Sequence, residues 1–178
     1  MEINATPVTP VSVGLRYGIL LALSGIIVDF LVRIAGFSFL TFGIASLLAG
    51  ILVSIAWLVL AHKAFKQANN NLMTFGQGIV IAVIMMLILG VTSSLFNYVY
   101  LHYIDTDFVE RLKAGMTEFM ERNNVPEDQI EKGTARFDEM KADLGKSVLN
   151  GLGRGLGVGL VLGAIITAFT KRNPPEFE

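Results

Sequence analysis

The sequence predicts an all-α integral membrane protein: a bundle of four transmembrane helices with an extramembrane two-helix hairpin between helices three and four. Three observations carry that expectation. Hydrophobic residues make up 53% of the 178 and charged residues only 16%, whereas a soluble domain holds about 25% charged residues. The charge is segregated, with 18 of the 29 charged side chains between Asp105 and Lys146. The remaining chain contains four stretches long and apolar enough to cross about 30 Å of hydrocarbon, which takes about 20 helical residues. Mean hydropathy is accordingly positive, +0.60. This composition excludes a soluble globular domain, a disordered chain and a nucleic-acid binder with a basic stripe. A net charge of −1 points to no acidic partner.

The stretch from Met1 to Val11 holds no Lys or Arg. It therefore lacks the basic region that a secretory signal peptide needs, and the first apolar stretch reads as a retained span. That span runs from about Val13 to Ala35, with Arg16, Asp29 and Arg33 inside it or at its ends. The second, Phe37 to Ala61, holds no charge and follows across a tight turn at Gly36. A polar link, His62 to Asn71, carries Lys63, Lys66 and three consecutive Asn residues. The third span, Leu72 to Leu101, is longer than the hydrocarbon requires, so it tilts or protrudes. The fourth runs from about Ser147 to Thr170 and contains Arg154, and Pro174-Pro175 ends it. Trp57, Tyr98, Tyr100 and Tyr103 near span ends suit interfacial aromatic belts. The chain thus divides into 1–104, 105–146 and 147–178.

The middle part holds 11 acidic and 7 basic residues. Phe108, Leu112, Met116 and Phe119 recur at helical spacing, as do Ile130, Phe137, Met140 and Leu144. Asn123-Asn124 suits a helix stop, and Pro126 with Glu127 and Asp128 suits a helix start. Two amphipathic helices are expected, their stripes facing each other, the first capped by Thr106 or Asp105. Asp107 with Arg111, Glu118 with Arg122 and Asp128 with Lys132 are acid-first pairs four apart, each worth a few tenths of a kcal/mol. The hairpin either packs on the bundle or membrane surface or serves as a partner-binding or self-association projection.

Thr74-Phe75-Gly76-Gln77-Gly78 opens the third span and Ser94-Leu95-Phe96-Asn97-Tyr98-Val99-Tyr100-Leu101-His102-Tyr103-Ile104-Asp105 closes it. With the acidic loop and glycine-rich last span, these phrases resemble domain-of-unknown-function family 4199, small membrane proteins found mainly in Bacteroidota. The resemblance covers about Tyr17 to Thr170. It implies four spans in a bacterial inner membrane and brings no activity or catalytic residue. Lys63, Lys66, Lys171 and Arg172 on one side favour cytoplasmic termini, with the hairpin outside.

An ionisable residue inside a span is expensive and marks a functional hypothesis. Asp29 lies seven residues before Gly36, and Arg154 seven after Ser147. Both therefore sit about 10 Å below the same membrane face at 1.5 Å per residue. Asn97 lies near that depth, and Arg33 shares a helix face with Asp29. Asp29, Arg33, Asn97 and Arg154 form one candidate polar layer. It is either an Asp29–Arg154 ion pair that fixes helix packing or a substrate or ion site. Gly151, Gly155, Gly159 and Gly163 make one smooth face for close helix approach, and Gly153 and Gly157 make a second.

With no Cys, disulfides, thiolate catalysis and Cys-ligated zinc are absent. His62 and His102 are expected near opposite faces, and His102 with Asp105 supplies fewer ligands than a structural zinc site needs. No metal or cofactor is expected, nor, without a Ser-His-Asp set or paired carboxylates, an enzyme. Two function classes remain beyond contact with the lipid bilayer. One is a structural or interaction protein presenting the hairpin. The other is a small transporter or channel subunit using the layer around Asp29.

Overall fold

The computed structural model describes residues 8–141 and 143–173; residues 1–7 and the Pro174-Pro175 tail lie outside them. The elements are α1 (Pro10–Ile34), α2 (Phe39–Ala68), α3 (Phe75–Val99) continued by a π turn (Tyr100–Ile104), α4 (Phe108–Arg122), α5 (Glu127–Ala135), a 3₁₀ turn (Asp138–Lys141) and α6 (Leu144–Thr170). Among the described residues the only extended pairing is one antiparallel bridge, Met73 with Arg172. Four helices, α1, α2, α3 with its π turn, and α6, are long and apolar enough to cross a membrane. The chain is a multi-pass membrane protein. Large apolar side chains such as Ile27, Leu47, Leu52 and Val161 face outward, which in lipid costs nothing.

Local sequence sets the helix ends. Thr9 accepts from the Ser12 amide while Ser12 answers on the Thr9 amide, and Pro10 fills the first turn, where a missing N–H is harmless. Thr74 and Gln77 repeat the reciprocal cap at α3. Gly36 takes a φ of +68° at the α1–α2 turn, a conformation that disfavours a side chain. Asp143 caps α6 by accepting from the Gly145 and Lys146 amides, so this helix begins before Ser147.

Helix α3 is the central element, flanked by α6 and α1, while α2 leans on α1 and meets α3 and α6 at few positions. The α3–α6 seam is built on glycine. Gly151, Gly155, Gly159 and Gly163 are all buried. A Cβ on Gly155 would come within 2.5 Å of the Met86 carbonyl oxygen, and one on Gly163 within 2.8 Å of Ala82 Cβ. Gly153 and Gly157 face open space.

The polar link is shorter than the sequence suggests, because α2 continues through His62 to Ala68. Interhelical bonds make that extension worthwhile. His62 is fully buried, its Nδ1 bonded with Thr170 Oγ1 at 2.8 Å and its Nε2 with the Gly78 carbonyl at 3.1 Å. Lys66 Nζ donates to the Thr170 carbonyl at 2.9 Å. Asn70 and Asn71, both at positive φ, then stop the helix. The reading of Trp57 as an interface anchor is also corrected. Its Nε1 donates to Ser24 Oγ at 2.7 Å and its ring meets Tyr17 edge-on, inside the bundle and eleven residues before α2 ends.

The 105–146 segment folds back onto the end of the bundle where α2 begins. Phe108 packs edge-on against Phe42 and Tyr100, and Phe137 against Phe39. The second amphipathic helix is cut short. After α5 the chain leaves the helix at Arg136, so Ile130, Phe137, Met140 and Leu144 do not share one helix face. A nine-residue helix is marginal by itself, and packing Phe137 and Met140 onto the α4 cluster outweighs its extension. Helices α4 and α5 meet where Met116 and Met120 approach Gly133, while Phe119 is 41% exposed. Neither Thr106 nor Asp105 caps α4: Asp107 holds the cap position without a side-chain bond. Arg111 turns from Asp107 to Asp105, while Glu118–Arg122 and Asp128–Lys132 pair at 2.5 and 3.3 Å.

Candidate functional site

The π turn at the end of α3 turns the adjacent Tyr100 and Leu101 inward, and both are buried. Single π turns interrupt the α-helical phase in this way, often at functional sites. Tyr100, expected in an interfacial belt, instead lies over Arg33. The guanidinium carbon of Arg33 sits 4.6 Å from the Tyr100 ring centroid, 4.9 Å from Phe108 and 5.8 Å from Phe96. Desolvated cation–π contacts of this kind contribute up to about 2 kcal/mol each. Tyr103, by contrast, is exposed, and Tyr98 stacks on His102.

Within this aromatic box Arg33 is held in the plane as well. Its Nε donates to Asp29 Oδ2 at 2.8 Å and one Nη donates to Asn97 Oδ1 at 3.0 Å. Only 8% of the Arg33 side chain is exposed. The other terminal nitrogen, Nη1, is buried without a hydrogen-bond partner, and so is Ser46 Oγ on α2.

Asp29, Arg33, Asn97 and Arg154 all line one cavity of 550 Å³. They do not close on one another as an interhelical ion pair. Among the described residues the ion-pair partner of Asp29 is Arg33, and Arg154 has none. Equal depth fixes height in the membrane but not the direction around each helix axis. A partner four residues along the same helix meets Asp29 without moving a second helix. The cavity lies between α1, α2, α3 and α6, and Arg136 and Met140 of the 105–146 segment reach into it. Two of the packing glycines, Gly151 and Gly155, form part of its wall, while Gly159 and Gly163 lie further along the seam. Ser94 in the same wall donates to the Gly90 and Ser147 carbonyls at 2.8 and 2.9 Å.

Sequence reasoning misses the aromatic box, Ser46, Ser94 and Arg136. Phe96 and Tyr100, four apart beside Asn97, were a usable signal for two rings on one helix face. Arg136 gave none, because only the tertiary fold carries it to the cavity. Outside the spans, the Arg111 guanidinium holds the Asp105 carboxyl below the usual carboxylate range, and the Tyr100 hydroxyl donates to Asp105 Oδ2 at 3.2 Å. This clasp fixes the start of α4 over the box. Among the described residues no group of three or more His, Cys, Asp or Glu is placed to hold a metal ion.

No curated protein and no solved structure matches the chain. A family model described as "Protein of unknown function (DUF4199)" matches residues 16–172. That match covers most of α1, all of the other three apolar helices and every residue of the polar layer, so the chain belongs to the DUF4199 family.

Proposed function

We propose that the protein is a small membrane-embedded binding protein, a transporter or channel subunit in class, whose ligand occupies the polar cavity around Asp29. One observation carries this reading. Asp29 and Arg154 open onto a shared 550 Å³ space, within the 300–1,000 Å³ range of ligand pockets, rather than neutralising each other. On this reading the 105–146 segment is the cavity's roof, since Arg136 and Met140 line the space from above. The reading is of binding without bond chemistry, with no cofactor. It places the protein in a bacterial inner membrane, both termini cytoplasmic, on the Lys and Arg of the α2–α3 link and the C-terminal tail. Labelling of Ala68→Cys by an impermeant thiol reagent in intact cells would reverse that orientation.

A second reading, display of the 105–146 segment to a protein partner, draws on its excess of acidic residues and on the exposed Phe119. The two are separated by filling the cavity. Ser93 lines it and is exposed, so Ser93→Phe adds bulk there without burying a polar group. Native mass spectrometry of the purified wild type is expected to show a retained ligand mass that Ser93→Phe loses at unchanged helix content. No retained mass in the wild type, or the same mass in both proteins, would count against the binding reading.

A further inference from the structure

We propose that the cavity's ligand is an amphiphile with an anionic oxyanion headgroup, phosphate or carboxylate in chemistry. The headgroup lies between Arg33 and Arg154, and the apolar tail runs down between α2 and α6. The inference rests on the reading of the cavity as a ligand site and adds the class of ligand.

The charge balance of the lining gives the sign. Arg33, Arg136 and Arg154 face the cavity against one carboxylate, Asp29, and that carboxylate is already engaged by Arg33. Among the described residues neither Arg136 nor Arg154 has an ion-pair partner. Arg33 and Arg154 lie within spans, where a cationic side chain is costly unless a counter-charge meets it. The unmet atoms give the chemistry. Arg33 Nη1 is buried and unpartnered, and a guanidinium only donates, so what meets it must present an acceptor oxygen. Its other nitrogens are committed to Asp29 and Asn97, and the aromatic box fixes its plane. Ser46, whose Oγ is also buried and unpartnered, lines the same space. An ammonium headgroup satisfies neither Arg33 nor Arg154.

The polarity gradient gives the tail. Leu21, Val53 and Met86 line the cavity on the side away from the 105–146 segment. Leu21 lies eight residues before Asp29, about 12 Å along the helix. All the charged groups crowd one end, and the other holds Ser54 as its polar side chain among Leu21, Val53 and Met86, which matches a headgroup with a chain and not a free ion. Helix α2 meets α6 at few positions, which gives the tail a way out between them toward lipid.

The test uses purified full-length protein in neutral detergent, with native mass spectrometry reading adducts of phosphatidylglycerol, diacylglycerol (the same tail without the phosphate) or inorganic phosphate. The phosphatidylglycerol adduct is expected to exceed the diacylglycerol adduct about tenfold, the effect of about one charge-assisted hydrogen bond. Arg154→Gln is expected to erase that preference. Arg154 is exposed and leaves no partner stranded, so the variant retains its fold, which a thermal melt checks. Ser93→Phe is expected to lose both adducts. Equal binding of the two lipids, both lost in Ser93→Phe, would overturn the anionic headgroup and leave the cavity reading intact. Adducts indifferent to Ser93→Phe would overturn the cavity reading itself. Displacement of phosphatidylglycerol by inorganic phosphate at equal concentration would overturn the amphiphile in favour of a free anion.

Discussion

Arg33 shows what a guanidinium inside a span requires. It is too enclosed to snorkel, with 8% of its side chain exposed, so its charge is met by Asp29, by Asn97 and by three ring faces. Removing Asp29 leaves that charge with one neutral acceptor. Unfolding of Asp29→Leu, Arg33→Met and the double variant is expected to give a coupling of about 0.5–3 kcal/mol. It should fall toward the low end, because Asp29 stays 35% exposed. The same cycle between Asp29 and Arg154 is expected to be additive. At this scale the sequence was informative about depth and helix face: Asp29 and Arg33 four apart are legible as neighbours. It was silent about which helix Arg154 turns toward, since a chain of glycines around it specifies close approach without fixing orientation by bulk. The aromatic box depended on the π turn, which no spacing rule announces.

Between elements, the α3–α6 seam is the most sequence-legible contact. Gly151, Gly155, Gly159 and Gly163, spaced by four, need no tertiary information to be seen as one face. Gly155→Ala forces a methyl against the Met86 carbonyl and is expected to lower stability by about 1–3 kcal/mol, as overpacking does. Gly157→Ala, which meets nothing, is expected to be neutral or slightly stabilising, and paired thermal melts in one detergent compare them. The start of α4 carries a pH dependence. Arg111 holds the folded Asp105 carboxyl below its usual range, so the clasp's contribution is fully present above about pH 4, the ordinary Asp value. It is lost as pH falls through the lower folded value. The hydrogen-exchange protection factor in the first turn of α4, taken against the intrinsic rate at each pH, is expected to fall on acidification below that point and to be low and flat in Asp105→Asn. A protection factor that stays flat in the wild type would disconnect the clasp from α4. The second half of the 105–146 segment was the least legible element. Its apolar spacing fits a helix, but Phe137 and Met140 find their partners on α2 and α4 instead.

For the molecule as a whole, four apolar stretches separated by turns and one charged segment were enough to specify a helical membrane bundle, because lipid permits few alternatives to fully bonded helices. The cavity was not legible. Each of its walls reads as an ordinary amphipathic or small-residue stripe, and the space appears only when α2 leans toward α1 and away from α6. Its existence as an accessible polar space is the claim on which the functional reading stands. Single Cys residues in this cysteine-free chain measure it directly. The rate of reaction with a small charged methanethiosulfonate reagent in reconstituted vesicles is compared between Ser93→Cys and Val158→Cys, which line the cavity, and Leu52→Cys and Val161→Cys, which face outward. The lining positions are expected to react at least about tenfold faster, since thiolate forms only where water reaches. Equal and slow reaction at all four positions would contradict the cavity and return the polar layer to a closed packing device.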